Sequence, residues 1–485
     1  SKPFHLFGVA FFVIIRIKKD SNMAGVETQH KTFKAFYDDW ITMRHVFAGE
    51  RTLKANSKRY IAPLDGQDDS DYKEFIARSC FENYVKATAK GMSGLIFAKN
   101  PLMELSATVE ALKDNIDLSG NSIIDLAQST ISEIAEVGRC GLLVDMMTYD
   151  TTGMTVAQVQ ALNLRPYIKL YTTENIINWD TELINNQNEL SLLVLQEVYN
   201  ININMFKRED KVRYRVYSIE ENIVICRIFE SNAYQSKGNF SIVSESIPVM
   251  NGKPLNSIPF IPITAEDLTI EPSNPPLLDL ANINLNHWGI SCEYRNILHY
   301  LGSPVLTITG YQGQQGEEIA IGAKSVIKLP DPTAKVYYTA LSADGLSGVK
   351  DAMTEQKNAM LALGARLLAP ESSSQISENT MQMKTAGQRA TIIQIADTVS
   401  RGIEKALNII AQWQGDNTLQ VFKLNTDYNL AEMNPQLMTA MFTGNQIGLV
   451  PLEDIYDNLK KGEMTKFETF EDWKTSLETQ SPIGN

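Results

Sequence analysis

The strongest constraint on the fold of this chain is a helical pattern over residues 277–301 that is apolar on two sides. It follows two prolines and closes at Gly302, the punctuation expected at the ends of a helix. One row of apolar residues at three-to-four spacing comprises Leu278, Ala281, Leu285, Trp288 and Cys292. The other row comprises Leu280, Ile283, Ile290, Tyr294, Ile297 and Leu301. A helix with two apolar faces needs two neighbours, so we expect it in a large core or between copies of itself in a ring.

Two further helices are predicted downstream. The helix over 346–368 has one polar face that is expected to be exposed to solvent. Its other face is apolar and is made of Leu346, Val349, Met353, Met360, Leu363 and Leu367. Pro370 ends it, a polar loop covers 371–380, and a third helix carries Ile392, Ile395, Val399, Ala406, Ile409 and Trp413. Short strands are predicted at 304–309, 325–329 and 335–339. A small sheet is therefore expected at the far tip of a helical hairpin.

The first third of the chain is predicted to be mainly helical, with helices over 27–49, about 70–97 and 121–137. From Pro166 the segments become β-branched and aromatic, which predicts an antiparallel sheet domain with strands at 167–171, 192–202, 212–219, 223–230 and 240–243. A helix pair is expected around 433–462. The fold class is therefore α+β.

Composition indicates a folded protein, with 44% hydrophobic and 21% charged residues among 485. The net charge of −13 argues against tight binding of nucleic acid through the overall electrostatic potential of the protein. It does not exclude a protein past which DNA slides. Four cysteines with no paired spacing favour a reducing compartment. The apolar run 4–15 is too short to span a membrane. We expect Met23 as the natural start and residues 1–22 as an extraneous leader, the alternative being a short surface-docking arm.

No catalytic, cofactor or metal site can be defended from the residues. His287, Cys292, Glu293 and His299 share one helix, but two of these, Cys292 and His299, are two turns or about 10 Å apart. The glycines at 310, 313 and 316 follow a strand, but their spacing differs from the dinucleotide motif and favours a hairpin turn. The residues by themselves therefore indicate an architecture and not an active site.

The order of parts resembles that of the portal proteins of tailed bacteriophages. Local stretches at 94–101, 138–145, 258–263 and 275–310 also look like those of one portal subfamily. Each is a packing or turn motif, so their order is the specific part, and together they cover most of residues 30–415. The departure is at the C-terminus, where a large helical crown looks absent or reduced.

The resemblance implies a portal-like α+β architecture with named parts. These are the helical wing at 23–165, a β-rich wing subdomain at 166–274, a stem helix at 275–302, a small α/β clip at 303–342, a second stem helix at 343–369, a tunnel loop at 370–385, a wing helix at 386–415 and a C-terminal region with a short crown at 416–485. It further implies a ring of about twelve subunits at one capsid vertex, through which double-stranded DNA enters and leaves. A protein of this kind is not itself an enzyme.

The partners implied are the large terminase, a head–tail adaptor and the major capsid protein, with no membrane. The implied location is the virion, assembled in the host bacterial cytoplasm. The residues expected to face the channel or DNA are Lys350, Thr354, Lys357, Ser372, Ser373, Ser374 and Gln375. The residues expected at the subunit interface are Leu285, Trp288, Cys292, Tyr294 and Ile297. A solvated surface loop is the alternative for 371–385, and another virion structural or adaptor protein, or an unrecognised hydrolase, for the whole chain.

Overall fold

The computed structural model describes residues 25–146, 164–184, 186–231, 240–303, 305–310, 333, 335–339, 345–368, 378–426, 428, 435–461, 465–467 and 469–479. The chain divides into two compact units, residues 1–426 and 427–485. The predicted leader at 1–22, the strand at 325–329 and the channel residues Ser372, Ser373, Ser374 and Gln375 lie outside the described residues.

The helices of the first unit are α1 (Lys31–Ala48), α2 (Glu50–Ala55), α3 (Asp69–Arg78), α4 (Tyr84–Ile96), α5 (Ala107–Glu110), α6 (Ile123–Val137), α7 (Leu278–Gly302), α8 (Leu346–Leu368) and α9 (Glu378–Trp413). Its strands are β1 (Leu102–Glu104), β2 (Arg139–Met146), β3 (Pro166–Thr172), β4 (Ile176–Ile184), β5 (Gln187–Asn202), β6 (Arg208–Glu220), β7 (Ile223–Ser231), β8 (Phe240–Ser246), β9 (Val249–Met250), β10 (Lys253–Pro254), β11 (Phe260–Thr264), β12 (Val305–Thr309), β13 (Lys335–Thr339) and β14 (Val421–Lys423). Two 3₁₀ turns occupy Ser57–Arg59 and Thr173–Asn175.

The core of the first unit is built around α9, which packs against α6, β2, β11 and β14. Its fully buried side chains include Ile392, Ile395, Val399, Ile403, Ala406 and Ile410. Gly402 lets Ile263 of β11 approach closely, because a Cβ at that position would lie 2.5 Å from Ile263 Cδ1. The apolar stripe predicted for the third helix therefore faces the core, except that Ile409 and Trp413 are only half-buried.

The strands of the β-rich region lie in three antiparallel sheets, and the smallest of these pairs β9 with β10. β3 and β11 flank β2 in a three-stranded antiparallel sheet, so both belong with a strand that follows α6. β4 to β8 form a separate five-stranded antiparallel meander. β4 escaped prediction because register shifts between Ile176 and Asn178 and between Asp180 and Thr181 interrupt the period-two alternation of the strand.

The predicted helix over 70–97 is two helices, α3 and α4, with an extended break between them. Ser79 ends α3 with an extended backbone, and its Oγ donates to Ile76 O at 2.7 Å. Asn83 then caps α4 by accepting a hydrogen bond from Lys86 N at 2.8 Å. Ser and Asn favour such terminal positions because their side chains satisfy free backbone groups.

Another difference concerns the predicted tunnel loop at 370–385. α9 begins at Glu378, so residues 378–385 are helical, and the wing helix expected from 386 starts eight residues earlier. The sequence 378–391 is polar and carries no apolar stripe, which hid its helical character.

Two ion-pair clusters tie the elements of the first unit together. Arg44 on α1 binds Glu174 with its Nε at 2.6 Å and Glu133 on α6 with its Nη2 at 2.6 Å. Glu197 on β5 accepts from Arg213 at 2.7 Å and from Lys169 at 2.8 Å. Burial opposes ionisation of the Glu197 carboxyl, but the nearby cations outweigh it and lower its pKa.

The second unit contains three described helices, α10 (Pro435–Gln446), α11 (Leu452–Lys461) and α12 (Phe470–Thr479). Its core comprises Ile455, Tyr456 and Trp473. α10 and α11 agree with the helix pair predicted around 433–462, whereas α12 was not predicted. Its ten residues bury a single tryptophan, which is too weak a pattern to identify a helix from sequence.

Candidate assembly hairpin

The base of α7 is held inside the chain by a row of polar anchors on the segment 78–84. The Asn284 amide accepts from Tyr84 N at 3.1 Å and donates to Glu82 O at 2.9 Å. Trp288 Nε1 donates to Ser79 Oγ at 2.9 Å, and Ser291 Oγ donates to Cys80 O at 3.3 Å. The break between α3 and α4 is thus shaped around α7.

These contacts correct part of the predicted subunit interface. Trp288 and Cys292 have no exposed surface in the single chain, so they cannot touch a neighbouring subunit in this conformation. Trp288 packs edge-on to Phe81, with ring centroids 6.1 Å apart. The chain itself therefore covers Trp288 and Cys292 of the first apolar row of α7. Periodicity alone cannot distinguish such a contact within one chain from a contact between subunits.

The other predicted interface residues, Leu285, Tyr294 and Ile297, are half-buried. Ile283, Ile290 and Leu301, which belong with Tyr294 and Ile297 to the second row, are also half-buried, although α8 packs along α7. The single chain thus leaves apolar surface on this row uncovered. Leu298 and Tyr300, which the two rows did not include, are 41% and 53% exposed.

Among the described residues, the distal part of the α7–α8 pair contains no buried side chain. No residue is buried in 293–302 of α7, in 346–359 of α8 or among the described side chains of β12 and β13. We call these four segments the assembly hairpin. The ten residues of α7 in it correspond to about 15 Å of helix. β12 and β13 pair antiparallel from Val305–Thr339 to Thr309–Lys335.

The strand pair at the end of the assembly hairpin presents aromatic side chains to solvent. Tyr337 is 46% exposed and Tyr338 is 62% exposed, and Val336 beside them is 37% exposed. An isolated two-stranded ribbon is marginally stable in water, and exposed contiguous apolar side chains mark contact sites. The described residues of this hairpin therefore leave apolar and aromatic side chains exposed to solvent.

The predicted channel residues on α8, Lys350, Thr354 and Lys357, are all exposed, as expected for the polar face of this helix. Lys350 makes no ion pair with any described residue, and Thr354 Oγ1 donates to Lys350 O at 2.9 Å. Lys357 leans towards the start of α4, where its Nζ lies 3.8 Å from Glu82 Oε2. A hydrogen bond with Tyr84 and the charge of Glu82 raise the pKa of Lys357. Lys350 is thus the freer of the two cations.

The C-terminal part of α8 packs closely against α4 where Gly364 meets Thr88. A Cβ on Gly364 would come within 2.7 Å of Thr88 Oγ1, and Thr88 itself is buried. Next to this contact, His287 of α7 is buried, with ring centroids 6.3 Å from Tyr84, and neither ring nitrogen has a partner among the described residues. Burial lowers the pKa of His287.

Within the described part of the chain, no group of three or more His, Cys, Asp or Glu residues is arranged to hold a metal ion. All four cysteines are free, and Cys80 is half-buried while the others are buried. No described helix has the length and apolar character that crossing a membrane requires.

Comparison with known proteins adds three similarities. Residues 276–414 match a family model described as a domain of unknown function (DUF4055), a match that covers α7, the assembly hairpin, α8 and α9 but well under half of the chain. No curated protein matches.

Among solved structures, a chain from the virion of a native gene transfer agent particle is similar at 12% identity with a TM-score of 0.36, covering 82% of this chain and 94% of that chain. A chain from the neck of an empty gene transfer agent particle, computed with C6 symmetry, is similar at 11% identity with a TM-score of 0.38, covering 80% and 92%. At these values the two similarities carry no argument about function.

Proposed function

We propose that this chain is a portal subunit of a tailed-phage-like particle. Copies form a ring at one capsid vertex, double-stranded DNA passes through the central channel during packaging and ejection, and the large terminase and then a head–tail adaptor dock on the projecting end. The ring contacts the major capsid protein, is not itself an enzyme, and is assembled in the bacterial cytoplasm and retained in the virion. The proposal rests on the sequence resemblance and on the assembly hairpin.

The assembly hairpin is the observation that carries the proposal. The helical segments 293–302 and 346–359 and the described strand pair bury no side chain, so their own packing does not hold them in place, because most helical stability in proteins comes from burial of an apolar face. The half-buried second row of α7 and the exposed Leu298 supply such a face. In a ring, the hairpins of neighbouring copies cover one another. This explains why the hairpin has no buried side chain in the single chain and why its apolar face is uncovered.

The charge distribution suits a channel that conducts DNA without binding it tightly. The net charge of −13 repels the phosphate backbone, while isolated cations such as Lys350 give weak, non-specific contact. Ser372, Ser373, Ser374 and Gln375 follow the C-terminal end of α8 and would offer neutral hydrogen-bonding groups to the passing duplex. Deleting these four residues should leave rings intact and reduce DNA packaging or retention.

The double substitution Leu298→Asp and Tyr300→Asp tests the role of the assembly hairpin. Both side chains are exposed in the single chain, so the subunit should fold normally and keep its circular dichroism spectrum and thermal midpoint. Rings seen for the wild type by mass photometry should be replaced by monomers, because buried carboxylates at an interface are strongly unfavourable. Leu419→Asp, at an 80% exposed position outside the hairpin, is the matched control and should retain rings.

Intact rings in the Leu298→Asp, Tyr300→Asp variant would refute the assignment of this hairpin to the subunit interface. Loss of rings together with loss of the folded spectrum would point to a role in folding of the monomer, and single substitutions at the two positions then separate the two roles.

A further inference from the structure

The two helical segments of the assembly hairpin, residues 293–302 and 346–359, carry six charged side chains, three acids and three bases. They are Glu293, Arg295, Lys350, Asp351, Glu355 and Lys357. All six are exposed. Lys357 approaches Glu82, whereas the other five make no ion pair with any described residue. These charges are therefore available to another molecule.

On α7 the two charges lie on opposite sides of the face that packs towards α8. The half-buried Tyr294, Ile297 and Leu301 mark that face. Successive residues of an α-helix project about 100° apart. Glu293 is one residue before Tyr294 and Arg295 is one residue after it, so the acid and the base project to opposite flanks of the hairpin.

On α8 the charges divide in the same order. Gln356 is half-buried within the row of α8 that faces α7, with Glu355 one residue before it and Lys357 one residue after it. Asp351 lies one helical turn before Glu355, and Lys350 lies two turns before Lys357. On both helices the acids therefore precede the inward positions and the bases follow them.

This shared order places all the bases on one flank of the hairpin and all the acids on the other. α7 leads into β12 and α8 follows β13, and because these strands pair antiparallel, the two helices run in opposite directions. In such a pair, positions one residue after an inward position lie on the same flank for both helices, and positions one residue before it lie on the opposite flank. We call Arg295, Lys350 and Lys357 the basic flank, and Glu293, Asp351 and Glu355 the acidic flank.

Interactions with Glu82 agree with the basic flank. Lys357 Nζ lies 3.8 Å from Glu82 Oε2. The pKa of Glu82 is lowered mainly by a hydrogen bond from Tyr84, and burial opposes this. The positive charges of Lys357 and Arg295 lower it further, so a base of α8 and a base of α7 both lie on the side of the hairpin that Glu82 occupies. Because Glu82 partly neutralises Lys357, the free charge of the basic flank is carried by Arg295 and Lys350.

The two flanks are complementary to each other and have no complement within one chain. Asp351 and Glu355 are four residues apart, a spacing at which like charges destabilise an isolated helix. Each flank also has one exposed apolar side chain next to a half-buried position of α7. Leu298 lies one residue after such a position, on the basic flank, and Tyr300 lies one residue before another, on the acidic flank.

We propose that the basic flank of one copy docks on the acidic flank of the next copy. The charges of the two flanks pair across this contact, and Leu298 packs against Tyr300. Glu293 and Arg295 are about 3 Å apart along the axis of α7, so rotation about a ring axis parallel to the hairpin brings acid and base to similar heights. Oppositely charged faces attract each other and exclude other registers.

A contact between two different faces of the same chain is heterologous, and repetition of such a contact around an axis closes a ring. The inference rests on the proposed ring and names the two faces that join its copies. Lys350 lies at the edge of the basic flank, next to the side of α8 that points away from α7, so it borders both this contact and the proposed channel.

Mixing two charge-reversal variants tests the contact directly. Arg295→Glu, Lys350→Glu makes both flanks acidic, and Glu293→Lys, Glu355→Lys makes both flanks predominantly basic. Each variant alone should need about tenfold or more protein for half-assembly, because like charges meet at every contact. An equimolar mixture should assemble at the wild-type concentration. With tags of different mass, native mass spectrometry should find equal numbers of the two variants in each ring.

The controls separate this contact from a general effect of charge. Lys405→Glu, Lys423→Glu makes the same change in net charge at exposed positions outside the hairpin and should assemble like the wild type. A chain with all four substitutions in the hairpin should assemble alone, because its flanks are exchanged and remain opposite in sign. The defect of each reversal variant should shrink in high salt, because ions screen exposed charges.

Circular dichroism checks that the variants fold, which is expected because surface substitutions usually change stability little. If a reversal variant loses its folded spectrum, the neutral variant Arg295→Gln, Lys350→Gln replaces it. This variant should also raise the concentration for half-assembly, and the increase should disappear in high salt.

Failure of the inference and failure of the proposed function give different results. Wild-type rings, together with reversal variants that assemble alone as well as the wild type or gain nothing from mixing, would overturn the docking of flank on flank and leave the ring standing. A wild-type protein that forms no ring under any assembly condition would overturn the proposed function itself.

Discussion

Trp288 Nε1 donates a hydrogen bond to Ser79 Oγ at 2.9 Å, which fixes the long helix α7 to the break between α3 and α4. Ser79 Oγ in turn donates to Ile76 O at 2.7 Å, so the last turn of α3 is tied to the indole. Both residues are buried. The break between α3 and α4 is therefore in direct contact with Trp288. This contact fixes the position of the base of α7 within the single chain.

Replacing Trp288 should act through folding of the single chain. Trp288→Ala is expected to lower the free energy of unfolding by about 3–5 kcal/mol, because a fully buried indole is replaced by a cavity. Trp288→Phe should lose less, since it keeps most of the packing and removes the hydrogen bond. Urea unfolding followed by circular dichroism measures both. Leu298→Ala on the same helix is the matched control and should change stability by less than about 1 kcal/mol.

A Trp288→Ala variant with wild-type unfolding but no rings would contradict this account of Trp288. It would return the residue to the subunit interface, where the apolar pattern of α7 alone had placed it.

His287 predicts acid sensitivity of the α4–α7–α8 contact. Its pKa is lowered by burial, with Lys357 adding to the lowering and Glu82 opposing it. The unfolded chain binds a proton near its ordinary pKa of about 6.5, whereas the folded chain resists protonation, so stability should fall as pH drops below about 6.5. The maximum slope is about 1.4 kcal/mol per pH unit.

His287→Gln should flatten this pH dependence between about pH 6.5 and 5 relative to the wild type. Thermal midpoints measured across that range give the comparison. His299→Gln, at an exposed position on the same helix, is the control and should keep the wild-type slope. An unchanged slope in His287→Gln would show that other groups cause any acid sensitivity.

Gly364 and Thr88 should be energetically coupled. A Cβ at 364 would lie 2.7 Å from Thr88 Oγ1, so Gly364→Ala must displace a buried side chain or move α8 away from α4. We expect a net loss of about 1–3 kcal/mol despite the better helix propensity of alanine. In the Thr88→Ala background the same change should be milder or stabilising, which a double-mutant cycle measures.

Gly348 on the same helix has open space around it, so Gly348→Ala should stabilise α8 by about 0.5–1 kcal/mol. If Gly364→Ala stabilised the protein as much as Gly348→Ala, the close approach of α8 to α4 would be disproved.

The long helices and most strands could be predicted because their patterns are local. Apolar spacing located α7, α8 and the C-terminal part of α9, and alternation located β3 and β5 to β8. The pairing of β11 with β2 could not be predicted, since it joins segments more than a hundred residues apart. The end of α6 was predicted at residue 137, and Gly138, with φ of 78°, ends that helix and leads directly into β2.

The candidate site was only partly predictable for a similar reason. A periodic row shows that a helix face is covered but not by what, and Trp288 and Cys292 are covered by the chain's own segment 78–84. The exposure of Lys350 and Thr354 could be predicted, because both lie on the polar face of the helical pattern over 346–368. The exposure of Met205 and Phe206 was not predicted, because Ile201, Ile203 and Met205 continue the alternation of the preceding strand and conceal the turn that ends it.

The central claim, that copies of this chain form a ring, is tested most directly by negative-stain imaging of the purified protein together with its mass in solution. The account predicts rings with a central hole of a size that admits a DNA duplex, at a mass that is a fixed multiple of 54.2 kDa and near twelve subunits. A strictly monomeric species at high protein concentration would contradict it.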